Sequence, residues 1–229
     1  YTFYCDETGA RVESGWVYTT EPATADDDAD ADEYWYYLKS SGKVATGKQA
    51  NVKGQAFIFG DKANENLGQM LTGWVAAFDN DDDNKIDAYE EIDGETDALP
   101  VNAEGIKDVY YCLYDEDKAD GHVQKNKWMK TWKPEEAYDE DEDDDKFWYW
   151  LEKDGKAYIP AWKDSNSGDF VGIAYKYALG DGALEVKNDG DPFSIAKKKI
   201  NSKDYFFNKN GEMVNNFIKP GLEDLCVSR

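Results

Sequence analysis

Histidine is all but missing from this chain: His122 stands alone among 229 residues. It sits beside a turn glycine, and a histidine-based acid–base or metal site has nothing else to build on. Cysteine is scarce as well. Cys5, Cys112 and Cys226 are odd in number and include no CxxC, which fits neither a disulfide framework nor a thiolate zinc site. No apolar run approaches the ~20 residues that a membrane-spanning helix requires. Basic residues are outnumbered, 26 Lys and Arg against 49 Asp and Glu, for a formal net charge of −23. Nucleic acid is therefore not an expected partner, because gripping phosphates takes a basic face. GxSxG, Walker and GxGxxG sequences are lacking, and carboxylates are too many to single out a glycosidase pair. No enzyme is expected. The surplus acid keeps a surface soluble and attracts cations.

Aromatic residues are what the chain has in plenty: 8 Trp, 16 Tyr and 10 Phe. A disordered acidic chain is poor in such side chains, so the charge must decorate a folded core. The aromatics recur in one unit: an aromatic or apolar strand, a short polar turn ending in Gly, then a strand leading to Trp. Copies are TFYCDETGARVESGW (2–16), WYYLKSSGKVATGK (35–48), AFIFGDKANENLGQMLTGW (56–74), VYYCLYDEDKADGHVQKNKW (109–128), WYWLEKDGKAYIPAW (148–162) and DYFFNKNGEMVNNF (204–217). A weaker copy, AYKYALGDGALEV, occupies 174–186. The turn glycines are Gly9, Gly42, Gly68, Gly121, Gly155, Gly182 and Gly211.

Alternation along each first strand sorts its side chains onto two faces. Phe3 and Cys5, Tyr36 and Leu38, Phe57 and Phe59, Tyr110 and Cys112, Tyr149 and Leu151, and Tyr205 and Phe207 share the apolar face and are expected in the core. Cys5 and Cys112 then act as small buried hydrophobes. Thr2, Trp35, Ala56, Val109, Trp148 and Asp204 form a column that varies, where binding could be tuned. One hairpin is not stable alone in water, whereas stacked hairpins bury each other's apolar faces. With no sustained 3.6-residue period, the expected fold is all-β: an elongated, solenoid-like array of stacked β-hairpin repeats with acidic loop insertions. Trp16 maps to Trp132 and Trp35 to Trp148, which divides the array into two related halves, 1–105 and 106–229, in one continuous repeat domain.

Two stretches follow a common plan of Trp, a Pro-containing spacer, an acidic run, an aromatic strand and Gly-Lys. They are WVYTTEPATADDDADADEYWYYLKSSGK (16–43) and WKPEEAYDEDEDDDKFWYWLEKDGK (132–156). Together with GQMLTGW (68–74) and DYFFNKNGEM (204–213), they resemble the choline-binding, or cell-wall-binding, repeats of bacterial surface proteins, which are related to repeats of glucan-binding proteins and of toxin C-termini. The resemblance touches most of the chain. It implies a secreted, cell-surface protein whose partner is teichoic acid choline or a cell-wall polysaccharide. It also implies aromatic cages, for which the candidate residues are Trp16, Trp35, Tyr37, Trp74, Trp128, Trp132, Trp148, Trp150 and Trp162, with Met70 and Met213 in the family's Met position. Ring faces attract a quaternary ammonium at ~0.5–2 kcal/mol per contact. The departure is the spacer: 18 residues separate Trp16 from Trp35 and 15 separate Trp132 from Trp148, longer than the family's. The acidic runs lie inside these insertions and are expected to be loops beside the cages. Beginning YTFYC, inside a repeat, the chain is expected to be a piece of a longer protein.

DNDDDNKIDAYE (79–90) has the spacing of a calcium loop, with Asp79, Asp81, Asp83, Lys85 (through its carbonyl), Asp87 and Glu90 as candidate ligands. Asn84 replaces the usual Gly, and TGWVAAF before it reads as a strand rather than a helix. A different reading of the whole chain is a structural stalk or adhesin array, rigidified by calcium, in which the aromatics are core alone.

Overall fold

A computed structural model describes residues 2–20, 32–62, 66–79, 83, 85–92, 105–113, 120–134, 146–159, 170–172, 175–178, 184–185, 194–207, 210–213 and 215–220; at 170–172, 175–178, 184–185, 194–197 and 215–220 it describes the backbone alone. Every regular element among these residues is a β-strand, so the chain is all-β, built of small antiparallel sheets. It divides into two compact units: Tyr1–Ile92 with Gly105–Gln124, and Asp93–Glu104 with Lys125–Arg229.

The first unit holds β1 (Gly15–Thr20), β2 (Glu33–Leu38), β3 (Gly47–Val52), β4 (Gln55–Phe59), β5 (Gly73–Phe78), β6 (Ala88–Glu91) and β7 (Ile106–Cys112). β1 pairs with β2, setting Trp16 opposite Tyr37 and Tyr18 opposite Trp35. β3 pairs with β4, Lys48 opposite Ile58. β5 runs between β6 and β7, Trp74 opposite Tyr111. The β3–β4 connection is tight: Lys53 and Gly54 both have positive φ, 49° and 93°, the two-residue turn whose twist matches a hairpin.

The second unit holds β8 (Lys127–Thr131), β9 (Phe147–Leu151), β10 (Phe170–Gly172), β11 (Tyr175–Ala178), β12 (Leu184–Glu185), β13 (Ser194–Ile200), β14 (Lys203–Phe207) and β15 (Asn215–Pro220). β8 pairs with β9, Trp128 opposite Trp150. β13 pairs with β14, Lys197 opposite Phe206 and Lys198 opposite Tyr205, and also with β10. β11 lies between β12 and β15.

The longer ladders run across the acidic insertions, since residues 21–32 connect β1 to β2 and residues 132–146 connect β8 to β9. This differs from the expected strand–glycine–strand hairpin. Five of the glycine turns close with a single bridge at the end of a strand: Leu38 to Val44, Phe59 to Met70, Cys112 to Val123, Leu151 to Ala157 and Phe207 to Met213; across Gly182, β11 and β12 pair as a short hairpin. After Val44, Met70, Val123 and Met213 the arm is too short for more, because the next paired strand starts within a few residues. That arm is instead spent on the preceding hairpin. The Val44 amide donates to the Thr2 carbonyl (3.1 Å), Met70 to Trp35 (2.8 Å), Val123 to Ala56 (2.8 Å) and Met213 to Trp148 (2.8 Å). The acceptors are members of the variable column. At these four positions the stacking role is carried by carbonyl oxygens, whatever the side chain.

The core follows the predicted columns where strands are paired. Tyr36, Leu38, Phe57, Phe59, Tyr110, Cys112, Tyr149, Leu151 and Phe207 are all buried. β4 is buried on both faces: Phe57 and Phe59 pack with Ala45, Val52 and Met70, while Ile58 packs with Leu71, Val75 and Tyr110. Val109, expected on the variable face, is buried too. Phe3 and Cys5 depart from the expectation. Phe3 is 43% exposed and Cys5 is exposed, because residues 2–5 make only isolated bridges, to Lys43 and Arg11, where later copies have a full strand alongside.

Candidate aromatic binding seams

Trp16 occupies the second position of β1, and its ring reaches forward onto the next hairpin. It lies 5.0 Å from Phe57 and 5.9 Å from Phe59 between ring centroids. Across its own hairpin it meets Tyr37 at 5.1 Å and Trp35 edge-to-face at 6.4 Å. Tyr18, two residues along the same strand face, lies 5.0 Å from Trp35 and is 49% exposed. The result is a seam with a packed floor, Phe57 and Phe59, and a half-open rim, Trp35 and Tyr18. Met70 pins it through the hydrogen bond that its amide donates to the Trp35 carbonyl.

The same constellation recurs in the second unit. Trp128, second in β8, packs on Trp150 at 5.3 Å and reaches forward to Tyr205 at 4.8 Å and Phe207 at 5.8 Å, parallel to the latter within 9°. Trp148 is 41% exposed, and its carbonyl accepts the Met213 amide as Trp35 accepts Met70. Register therefore equates Trp16 with Trp128, Tyr37 with Trp150, Trp35 with Trp148, Phe57 with Tyr205, and Met70 with Met213. The expected match of Trp16 to Trp132 is off by four positions. Trp132 falls just past the end of β8, Trp148 faces Lys130 across the ladder, and the Lys146 ammonium stands 4.3 Å over the Trp132 ring. The insertions differ in length, so counting through them misassigns the first Trp while leaving the second correct.

The remaining candidates fall elsewhere. Trp74 is buried at 5% exposure against Tyr111, 5.1 Å away, where it serves the core. Trp162 lies outside the described residues. Tyr18 is not among the sequence candidates, although strand alternation from Trp16 puts it on the same face; Tyr205, expected in the core, is half-buried and serves the seam.

The proposed calcium loop connects β5 to β6, strands rather than helices on both sides. Asp79 is buried and accepts the Lys107 ammonium at 2.7 Å, Glu90 pairs with Lys62 at 2.6 Å, and Asp83 pairs with Lys85. Asp87 is exposed, and its amide donates to the Phe78 carbonyl at 2.7 Å; Asp81 lies outside the described residues. Among the described residues no three His, Cys, Asp or Glu side chains stand together as a metal site. His122 pairs with Asp120. Burial pushes the Cys112 thiol far up and out of reach of ordinary titration, the setting of an inert structural thiol.

No protein-family model matches the chain, and no curated protein matches it. Solved structures similar to the chain include a choline-binding protein, CbpJ and an autolysin. Choline-binding protein F from Streptococcus pneumoniae is 22% identical, with 93% of this chain and 44% of that chain covered and a TM-score of 0.33. CbpJ from Streptococcus pneumoniae TIGR4 is 15% identical, covering 93% and 62%, with a TM-score of 0.39. The modular autolysin LytC from Streptococcus pneumoniae, in complex with a synthetic peptidoglycan ligand, is 18% identical, covering 93% and 42%, with a TM-score of 0.23. The chain spans about half the length of the solved structures it matches, between 42% and 62% of these three.

Proposed function

We propose that this chain is a non-catalytic bacterial surface module that binds cell-wall polymer, through choline or a glycan, at the aromatic seams between its hairpins. The observation that carries the reading is the recurrence of one constellation: an indole whose carbonyl accepts a following methionine amide and whose ring is left partly open, Trp35 beside Tyr18 and Trp148 across the ladder from Lys130. Indole faces left in water attract organic cations through the ring quadrupole and stack on the apolar faces of sugars. The net charge of −23 adds a long-range attraction for cationic groups that salt would screen.

A titration with choline and a panel of glucans, read by Trp fluorescence, tests the reading. The Trp35→Ala and Trp148→Ala variants are expected to lose most of the response. Trp148→Ala should leave the melting temperature nearly unchanged, since that side chain is 41% exposed. A fluorescence response that survives both substitutions sinks the assignment.

The second reading, a stalk whose aromatics are core alone, is favoured by how much indole surface the packing consumes: Trp74 and Trp150 are 5% and 8% exposed. It predicts no response to choline or glucan, together with a melting temperature that rises on adding calcium.

A further inference from the structure

The second position of a paired first strand holds Trp16 in β1 and Trp128 in β8, and each ring lies on the apolar column of the following hairpin, Trp16 on Phe57 and Trp128 on Tyr205. In β3 that position is Lys48, opposite Ile58 in the ladder as Trp16 is opposite Tyr37. Its side chain takes the same forward path. The Lys48 ammonium stands 4.0 Å over the ring of Tyr110, which occupies in β7 the place that Phe57 occupies in β4.

The surroundings suit a cation. The ring of Tyr89 lies 6.5 Å from that of Tyr110, and a Cβ on Gly47 would come within 3.7 Å of Tyr89 and 3.9 Å of the Asp61 carboxylate. Asp61 is held there by accepting the Tyr89 amide at 3.2 Å. Burial, with Asp61 and Asp108 nearby, pushes the Tyr89 phenol up to about 12, so its ring stays a neutral π face in a negative setting. A cation over such a face is attracted more strongly as it loses water.

We infer that Lys48 is a built-in ligand: the chain's own ammonium fills the seam between the β3–β4 hairpin and β7, so that this seam takes no outside cation. Of these three seams, those headed by Trp16 and Trp128 keep a rim for a guest and the one headed by Lys48 holds its own, whereas Trp74, second in β5, is buried in the core. This deepens the proposed function and rests on it for its biological meaning, though not for its chemistry.

The test is equilibrium binding of tetramethylammonium chloride to the full chain, comparing wild type with Lys48→Ala. The variant is expected to bind one more equivalent per chain, and Lys48→Met, which keeps the stem over Tyr110 without charge, is expected to add none. An added site in Lys48→Ala with no binding by wild type upholds the inference and defeats the choline route of the proposed function, leaving the glycan route to the glucan titration. Equal numbers in the two proteins, including none in either, overturn the inference. Should Lys48→Ala not fold, wild-type NMR decides: Lys48 ε-methylene protons shifted upfield by the Tyr110 ring support the contact, and random-coil shifts refute it.

Discussion

Gly68 and Gly9 have nearly the same backbone, φ +83° and +80°, in very different surroundings. A Cβ on Gly68 would meet the Val44 side chain at 2.2 Å, whereas one on Gly9 meets nothing within 4 Å. Gly9→Ala is therefore expected to cost about 1 kcal/mol, the strain of a left-handed non-glycine residue alone. Gly68→Ala should cost clearly more, because Val44 belongs to the previous turn and has little room to move. Urea unfolding of the two variants checks the order, and equal losses would contradict the close-approach argument. Because the folded protein holds the Tyr89 phenol up to about 12 from an ordinary 10.0, the unfolded chain releases that proton first as pH rises. Stability should thus fall between pH 10 and about 12, and Tyr89→Phe should flatten that fall. Cys5 is exposed and Cys112 buried, so in cysteine labelling a Cys112-only variant should stay unlabelled until it is unfolded, while a Cys5-only variant reacts at once.

A hairpin in this chain gains stability from its neighbour as well as from its own ladder. Met70, Val123 and Met213 sit outside the paired strands, yet their amides bond to carbonyls of the preceding hairpin at 2.8 Å. Their hydrogen exchange should be as slow as that of amides inside β4 or β9. Exchange at the rate of exposed turn residues would mean that the hairpins are not coupled through these bonds. Side chains reinforce the coupling: Trp16 in one hairpin covers Phe57 and Phe59 of the next. Phe59 is fully buried, and Phe59→Ala should cost roughly 3–5 kcal/mol by leaving a cavity under that indole. Phe3→Ala, on a strand with only isolated bridges, should cost far less.

Across the whole molecule the governing quantity is charge. With 49 acidic and 26 basic residues, repulsion among carboxylates opposes the compact state, and exposed pairs such as Lys85 with Asp83 give back little. Screening shortens from about 30 Å at 0.01 M salt to about 3 Å at 1 M. The melting temperature is therefore expected to rise with sodium chloride over that range. A fall would show that attractive ion pairs, among them the partly buried Lys107–Asp79 pair, outweigh the net repulsion.

Local rules made much of this protein readable from its residues. Period-two alternation marked Leu38, Phe59, Cys112, Leu151 and Phe207 as core, and the repeated polar turn ending in Gly marked Gly9, Gly42, Gly68, Gly155 and Gly211, all of which have positive φ, because both depend on only a few consecutive residues. The Trp35 and Trp148 rims were legible for the same reason, each lying three residues before a core position. Pairing across the insertions was not. Whether Trp128 or Trp132 answers to Trp16 depends on which partners fit across the ladder, and an insertion of free length carries no information about register. The place of Lys48 over Tyr110, the openness of Phe3 and Cys5 and the burial of both faces of β4 likewise arise only when one hairpin is laid against another. Sequence alone determined which residues could line a seam; tertiary packing decided which seams stay open, since exposure belongs to neighbours rather than to the residue itself.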